Sequence, residues 1–302
     1  MDVLLTLISP LGKVEEAARR AGRAIERQGG RLAGEVLLDP PFALGLRVAG
    51  LAPGAVRATV EAAVEDVDVV ARPAQEASPP RLMLADMDST IIGQECIDEL
   101  AAIAGQRSRI AAITAAAMRG ELDFAQALAA RVAALAGLEA TAIERVLLER
   151  VRLNPGARTL VATLKAQGCR CVLVSGGFTA FTSRVAAAAG FDRHVANRLD
   201  IEAGRLKGTV RAPIVDAAAK RRVLVDEREA LGLRPAQTLA VGDGANDIPM
   251  LQEAGLGIAW RAKPAAAAAA HGHIRHGDLA AVLWAAGIPR ATWVDAGSDA
   301  EG

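Results

Sequence analysis

Cysteine and aromatic residues are scarce in this 302-residue sequence, and its charges cancel. Of only three cysteines, Cys169 and Cys171 stand one residue apart. That pattern gives neither a disulfide framework nor a four-ligand zinc site. Small buried thiols in a reducing cytoplasm fit it better. Lys+Arg and Asp+Glu number 35 each, and aromatics make up 3%. There is no overall basic field to draw in nucleic acid, and no basic patch carries interleaved aromatics. No apolar run approaches a membrane span. Asp2 opens a segment with no basic stretch, and Val3 to Ile8 is too short for a signal-peptide core. The expectation is a cytoplasmic protein without nucleic-acid or membrane partners. What the chain does have is apolar mass, 52% of its residues. Its length suggests two or three units with sizeable cores.

Chemistry is concentrated in four short segments. The apolar run Leu82 to Ala85 leads into Asp86-Met87-Asp88-Ser89-Thr90. Ionised carboxylates are rarely buried without a partner, so two at a strand end imply a cation or a catalytic task. A second apolar run, Thr238 to Val241, leads into Gly242-Asp243-Gly244-Ala245-Asn246-Asp247. Its glycines allow tight turning, and its Asp and Asn oxygens are donors that a hard cation such as Mg2+ accepts. Between them, Cys171 to Val174 runs into Ser175-Gly176-Gly177, where a hydroxyl and backbone N–H groups can form an anion nest. Lys220 lies in a helical stretch, Ile214 to Leu231, and could meet a phosphate as a point charge. Taken alone, Ser175 is a turn residue. Lys220, beside Arg221 and Arg222, would alone be part of a solvated basic face.

In this order the segments resemble the haloacid dehalogenase (HAD) superfamily of phosphatases. Asp86 to Asp98, Met118 to Phe124, Ser175 to Phe178 and Gly242 to Met250 are similar to the phosphoserine phosphatase family within it, over roughly residues 80 to 290. The resemblance implies that Asp86 is the nucleophile, forming an aspartyl phosphate, and that Asp88 donates and then accepts a proton. Mg2+ would be held by Asp86, the Asp88 main-chain carbonyl and Asp243, with Asn246 and Asp247 nearby. Ser175, Gly176, Gly177 and Lys220 would hold the phosphate. Glu95 would pair with a substrate ammonium and Arg131 with a carboxylate, while Met118 and Phe124 wall the pocket. Read without the resemblance, Glu95 could be a helix first-turn acid, Arg131 an exposed helix residue, and Met118 and Phe124 cap core.

The organisation read from patterning is α/β, with a doubly wound parallel sheet in the HAD-like core. Core segments are expected at 81–92 and 154–290. Four helical stretches, Glu95 to Ala104, Ser108 to Met118, Phe124 to Ala136 and Thr141 to Val151, make an inserted helical cap at 93–153. Residues 1–77 read as βαββαβ, a small α+β ferredoxin-like unit. It resembles the ACT-like regulatory domain, whose ligand turn would correspond to Pro10-Leu11-Gly12 and could hold serine or another amino acid; a dimerisation or packing module with no ligand fits the pattern as well. Ser78-Pro79-Pro80 reads as a linker, and 291–302 as a tail, disordered from Asp295. A homodimer is expected, because a small sandwich with open edges often pairs. Three functions compete: hydrolysis of O-phospho-L-serine, the same chemistry on another small phosphometabolite such as phosphohomoserine, and an inert amino-acid-sensing regulator.

Overall fold

The structure, a computed structural model, describes residues 2–296. The chain begins with β1 (Asp2–Ile8), α1 (Val14–Arg27), β2 (Arg31–Asp39), β3 (Ala43–Ala49), α2 (Pro53–Glu61) and β4 (Asp68–Pro73). Helix α1 places Val14, Ala17, Ala18, Ala21 and Ile25 on one buried stripe, the three-and-four spacing of an amphipathic helix. Val3, Leu5 and Leu7 of β1 alternate toward that stripe and are buried. Each such side chain contributes about 1.5–3 kcal/mol relative to exposure.

The second part starts with β5 (Leu82–Ala85). The cap follows as α3 (Cys96–Ile103), α4 (Arg107–Met118), α5 (Phe124–Ala133) and α6 (Thr141–Glu149). Then come α7 (Ala157–Ala166), β6 (Arg170–Phe178), α8 (Thr179–Ala189), β7 (Arg193–Glu202), β8 (Arg205–Arg211) and α9 (Ala217–Ala230). The last elements are β9 (Thr238–Gly242), α10 (Ile248–Glu253), β10 (Leu256–Trp260), α11 (Pro264–Ala269), β11 (Gly272–Ile274) and α12 (Ala281–Ala285). Strand β5 is buried on both faces, with Leu82 and Leu84 in one core and Met83 and Ala85 in the other. That is why its sequence is continuously apolar.

All strands join one sheet in the order β2-β3-β1-β4-β11-β10-β9-β5-β6-β7-β8. The run from β11 to β7 is parallel, and β5 lies where the chain order reverses. Ligands bind beyond the carboxyl ends of strands at such a switch point. The first four strands follow the βαββαβ order expected for residues 1–77, but the unit does not stand apart. Strand β4 pairs antiparallel with β11 through Val69–His273 and Val70–Gly272. The buried Asp68 carboxylate accepts the N–H groups of Arg275, His276 and Gly277. Arg57 donates to the Ala267 and Ala270 carbonyls.

Two further features depart from the sequence reading. A hairpin, β7–β8, turns antiparallel and docks against the cap. Gly137 N–H donates to Leu206 O, Leu206 N–H to Leu138 O, and Arg205 to Gly137 O. Second, the segment read as a tail from 291 is docked as far as it is described. Trp293 packs against Trp284 with ring centroids 4.8 Å apart and planes tilted by 41°, Val294 N–H bonds Thr163 Oγ1, and Asp295 pairs with Arg290. The rest of that expected disordered tail, 297–302, lies outside the described residues. Among the described residues, no helix is long and apolar enough to cross a membrane, and Cys96, Cys169 and Cys171 are free and buried.

Candidate active site

Three neighbouring strands, β9, β5 and β6, end at one cavity of about 740 Å³ roofed by the cap. Asp86 follows β5 directly and is 5% exposed. Its Oδ1 accepts the Met87 N–H at 2.7 Å, and its Oδ2 lies 2.8 Å from Lys220 Nζ. Lys220 is fully buried on the inner face of α9, while Arg221 and Arg222 point to solvent. The ammonium also donates to Asp247 Oδ1 at 2.7 Å. The other Asp247 oxygen accepts the N–H groups of Asp243 and Gly244. Gly242 makes this fold-back feasible, since a Cβ there would stand 2.5 Å from Asp247 Cγ.

Burial pushes the Asp86 carboxyl well up, with Asp247 adding to it and Lys220 opposing. Burial alone would pull the Lys220 ammonium down, but Asp247 and Asp86 outweigh it, so it stands above the ordinary lysine value. The triad is thus a charged knot that holds its cation firmly. Oxygens of Asp86, Asp243 and Asp247 lie within 4.8 Å of one another. A donor set made only of carboxylate oxygens, closely spaced and short of positive charge, fits a hard divalent cation. Burial and Asp247 both raise Asp243, the direction expected of a carboxylate awaiting positive charge.

Asp88 is engaged elsewhere. Its Oδ1 accepts the Cys96 N–H at 2.9 Å, and its Oδ2 accepts from Ser175 Oγ at 3.2 Å. Burial raises its carboxyl above the usual range, so it holds a proton more readily than a free aspartate. Ser175 in turn accepts the Gly177 N–H at 2.8 Å. Ser89, between the acids and the cap, has left-handed backbone with φ 55°. Such strain in a non-glycine residue concentrates at functional sites.

Across the cavity, the cap supplies Glu95, Met118, Phe124 and Arg131. Glu95 accepts from Ser89 Oγ at 2.7 Å. It is open to the cavity, yet the surrounding walls and then Asp88 push its carboxyl up to about 7. Among the described residues, Arg131 donates to the Ala127 carbonyl of its own helix alone, at 3.3 Å. Burial lowers its guanidinium against the pull of Asp98 and Glu95. Met118 is 78% exposed, so it is rim and not cap core. Phe124 faces Gly176, where an added Cβ would stand 3.1 Å from its ring. Asp243, Asn246, Ser175, Gly176 and Gly177 also line the cavity.

Several residues at the site escaped the sequence reading. Thr90 donates to Asp243 Oδ1 at 3.1 Å, and its carbonyl accepts from Asn154 Nδ2 at 2.7 Å. With the Ile92–Leu153 bridge, this ties both cap linkers to the acidic floor. Asp98 and Lys263 also line the cavity. Thr90 lay inside a quoted motif and could have been flagged. So did Asp98, whereas Asn154 and Lys263 carry no local signal.

Residues 83–252 match the haloacid dehalogenase-like hydrolase model. A phosphoserine phosphatase of Streptomyces coelicolor is 46% identical over 254 residues, 83% of this chain and 62% of that one. One from Albidiferax ferrireducens is 47% identical over 208 residues, 67% of this chain and 88% of its own. Among solved structures, a probable phosphoserine phosphatase from Vibrio cholerae superposes with TM-score 0.74 at 29% identity, covering 96% and 88% of the two chains. The chain spans about three fifths of the length of the relatives that it matches over most of its own. On these matches, and on a site built at three strand ends beneath a helical cap, the chain belongs to the haloacid dehalogenase-like hydrolases.

Proposed function

We propose that this protein is a Mg2+-dependent phosphatase that hydrolyses O-phospho-L-serine to L-serine and phosphate. The observation that carries the reading is the pairing of two unlike carboxylates in one cavity. Asp86 is tied to a buried ammonium, whereas Asp88 is tied to a hydroxyl and a backbone N–H. Asp86 attacks phosphorus and takes the phosphoryl group as an aspartyl phosphate. Asp88 gives its proton to the departing serine oxygen, then removes one from the water that releases phosphate. Its raised pKa suits the first of these tasks. A bound divalent cation, held by Asp86, Asp243 and the Asp88 carbonyl, would neutralise charge on the transferring group. Lys220, Ser175 and the Gly176–Gly177 backbone orient the same oxygens.

The recognition half of the reading belongs to the cap. Glu95 takes the substrate ammonium, and Arg131 takes the carboxylate, where two parallel N–H donors suit a planar partner. Among the described residues, Asp86, Asp88, Glu95, Asp98 and Asp243 line the cavity against Arg131 and Lys263, with the Lys220 ammonium buried behind Asp86. A substrate bearing an ammonium fits that balance better than a plain phosphate ester. Phosphate release should be measured from L-phosphoserine, phosphothreonine, phosphoglycolate and phosphohomoserine, with Mg2+ and with EDTA. Metal-dependent preference for phosphoserine is expected. Preference for another ester would keep the floor chemistry and reject the cap assignment, and no release from any would reject both.

A further inference from the structure

Strand β6 does not run straight into its anion-binding turn. Its pairing with β7 is regular through Val174–Val195 and resumes at Phe178–Asn197. Four steps along β6, from 174 to 178, are therefore matched by two along β7, from 195 to 197. The surplus pushes Ser175, Gly176 and Gly177 out of the ladder and into the cavity. A bulge of this kind re-aims backbone at a site, but it leaves peptide groups without ladder partners. A buried carbonyl so stranded must find another donor.

Asn197 supplies it. Its side chain is 1% exposed, and its Nδ2 donates to the Gly176 carbonyl at 2.8 Å. The same amide reaches in a second direction. Its Oδ1 accepts the Val215 N–H at 2.7 Å, and its Nδ2 faces the Val215 carbonyl at 3.5 Å. Val215 immediately precedes Asp216, which caps α9 by accepting the Ala219 N–H at 2.7 Å. Helix α9 carries Lys220 one turn later. One buried amide thus ties the anion-binding turn to the root of the helix that delivers the cation. A primary amide carries, on one planar group, both the donor and the acceptor that these two peptide groups require.

We propose that Asn197 is a positioning residue for phosphoryl transfer, setting the Ser175–Gly177 turn relative to Lys220 and hence to Asp86. This rests on the reading of the cavity as a phosphoryl-transfer site, and its serine readout rests also on the cap assignment. Asn197 touches no substrate itself. Its effect belongs to the part of the reaction in which oxygens on phosphorus gather charge, and not to the cap.

The test is Asn197→Asp, which keeps the shape and turns the donor into an acceptor facing two carbonyls. A shift of about 1 Å in such a site costs on the order of 100-fold. The variant should lose about 10- to 100-fold in kcat, and inorganic phosphate should bind more weakly in step. Inhibition by L-serine, which the proposed function assigns to the cap, should stay within about twofold. On a Ser175→Ala background the same change should cost little more, because both act through one turn. A full, additive cost on that background, or equal weakening of serine and phosphate, would overturn the proposal. So would unchanged kcat with a lowered Tm, which marks a purely structural role. Should the variant not fold, the native protein decides: the Asn197 side-chain 15N amide resonance should shift when inorganic phosphate binds. An unmoved resonance would overturn the proposal as well. A native protein that cleaves no phosphomonoester would sink the functional reading instead, a result distinct from any of these.

Discussion

The floor of the cavity and its roof are built on opposite plans. On the floor, Asp86, Lys220 and Asp247 are at most 7% exposed, and both oxygens of each acid are hydrogen-bonded or ion-paired. On the roof, Glu95 and Met118 are open to solvent, and the Arg131 guanidinium makes a single bond within its own helix. The floor is preorganised, with its dipoles fixed before any ligand arrives, which is where electrostatic catalysis gains most. Among the described residues, Glu95 is held by a hydroxyl and Arg131 by a backbone carbonyl, and neither sits in an ion pair. On the proposed function, chemistry and recognition are therefore separable, and substitutions should sort by layer.

The sharpest way to break the contrast is Lys220→Met. It would leave Asp86 and Asp247 buried without their shared cation. Removing one partner of a buried charge network costs about 3–5 kcal/mol, so both stability and turnover should collapse together. Denaturant unfolding of the metal-free protein measures the first. A variant as stable as the native protein would show that the floor is not the knot described.

A substitution under the roof should behave differently. At Gly208, on β8, an added Cβ would stand 2.8 Å from Ala136 Cβ and 3.3 Å from Ala133 Cα. Its φ of 82° is also one that valine resists. Gly208→Val should push the hairpin from α5 and shift Arg131 and Phe124, raising KM about tenfold with a smaller change in kcat. Steady-state kinetics checks it, and a loss confined to kcat would contradict the division of labour.

The smallest effect expected is a pH-dependent gain in stability from Glu95→Gln. With its carboxyl raised to about 7, folded Glu95 keeps a proton that the unfolded chain has released. Stability from this group is thus present at acid pH, falls as pH rises from the ordinary glutamate range to about 7, and stays lost above it. Glutamine does not titrate. The metal-free variant should match the native protein near pH 4 and exceed it at pH 8. Solvent in the cavity screens the effect to on the order of 1 kcal/mol. Thermal unfolding at the two pH values measures it, and a gain at pH 4 alone would reverse the sign argued.

Much of the floor was legible in the sequence because its parts are contiguous. An apolar strand followed by acids, or by glycines and oxygen donors, states its own position at a sheet edge. Asp86, Asp88, Ser175, Asp243 and Asn246 were named on that ground, and the fold brings them to one cavity. Helical spacing gave the four cap helices to within a few residues. The hairpin β7–β8 was missed because its strands are largely exposed and charged, leaving little hydrophobic period to read. Asn197 was missed because nothing around it marks an amide that bonds residues far away in the chain. The joining of β4 to β11 was invisible for a similar reason. Edge pairing is made by backbone, and Asp68 caps a loop about two hundred residues away.

The most direct test of the separation is the activity of Arg131→Ala on two esters, L-phosphoserine and p-nitrophenyl phosphate, the second lacking both ammonium and carboxylate. Truncating one side of a buried charge pair costs about 2–4 kcal/mol. The account predicts that kcat/KM for phosphoserine falls about 30- to 1,000-fold, while that for the plain ester changes less than about twofold. Equal losses on both would mean that the roof serves the chemistry itself, and the division between floor and roof would be wrong.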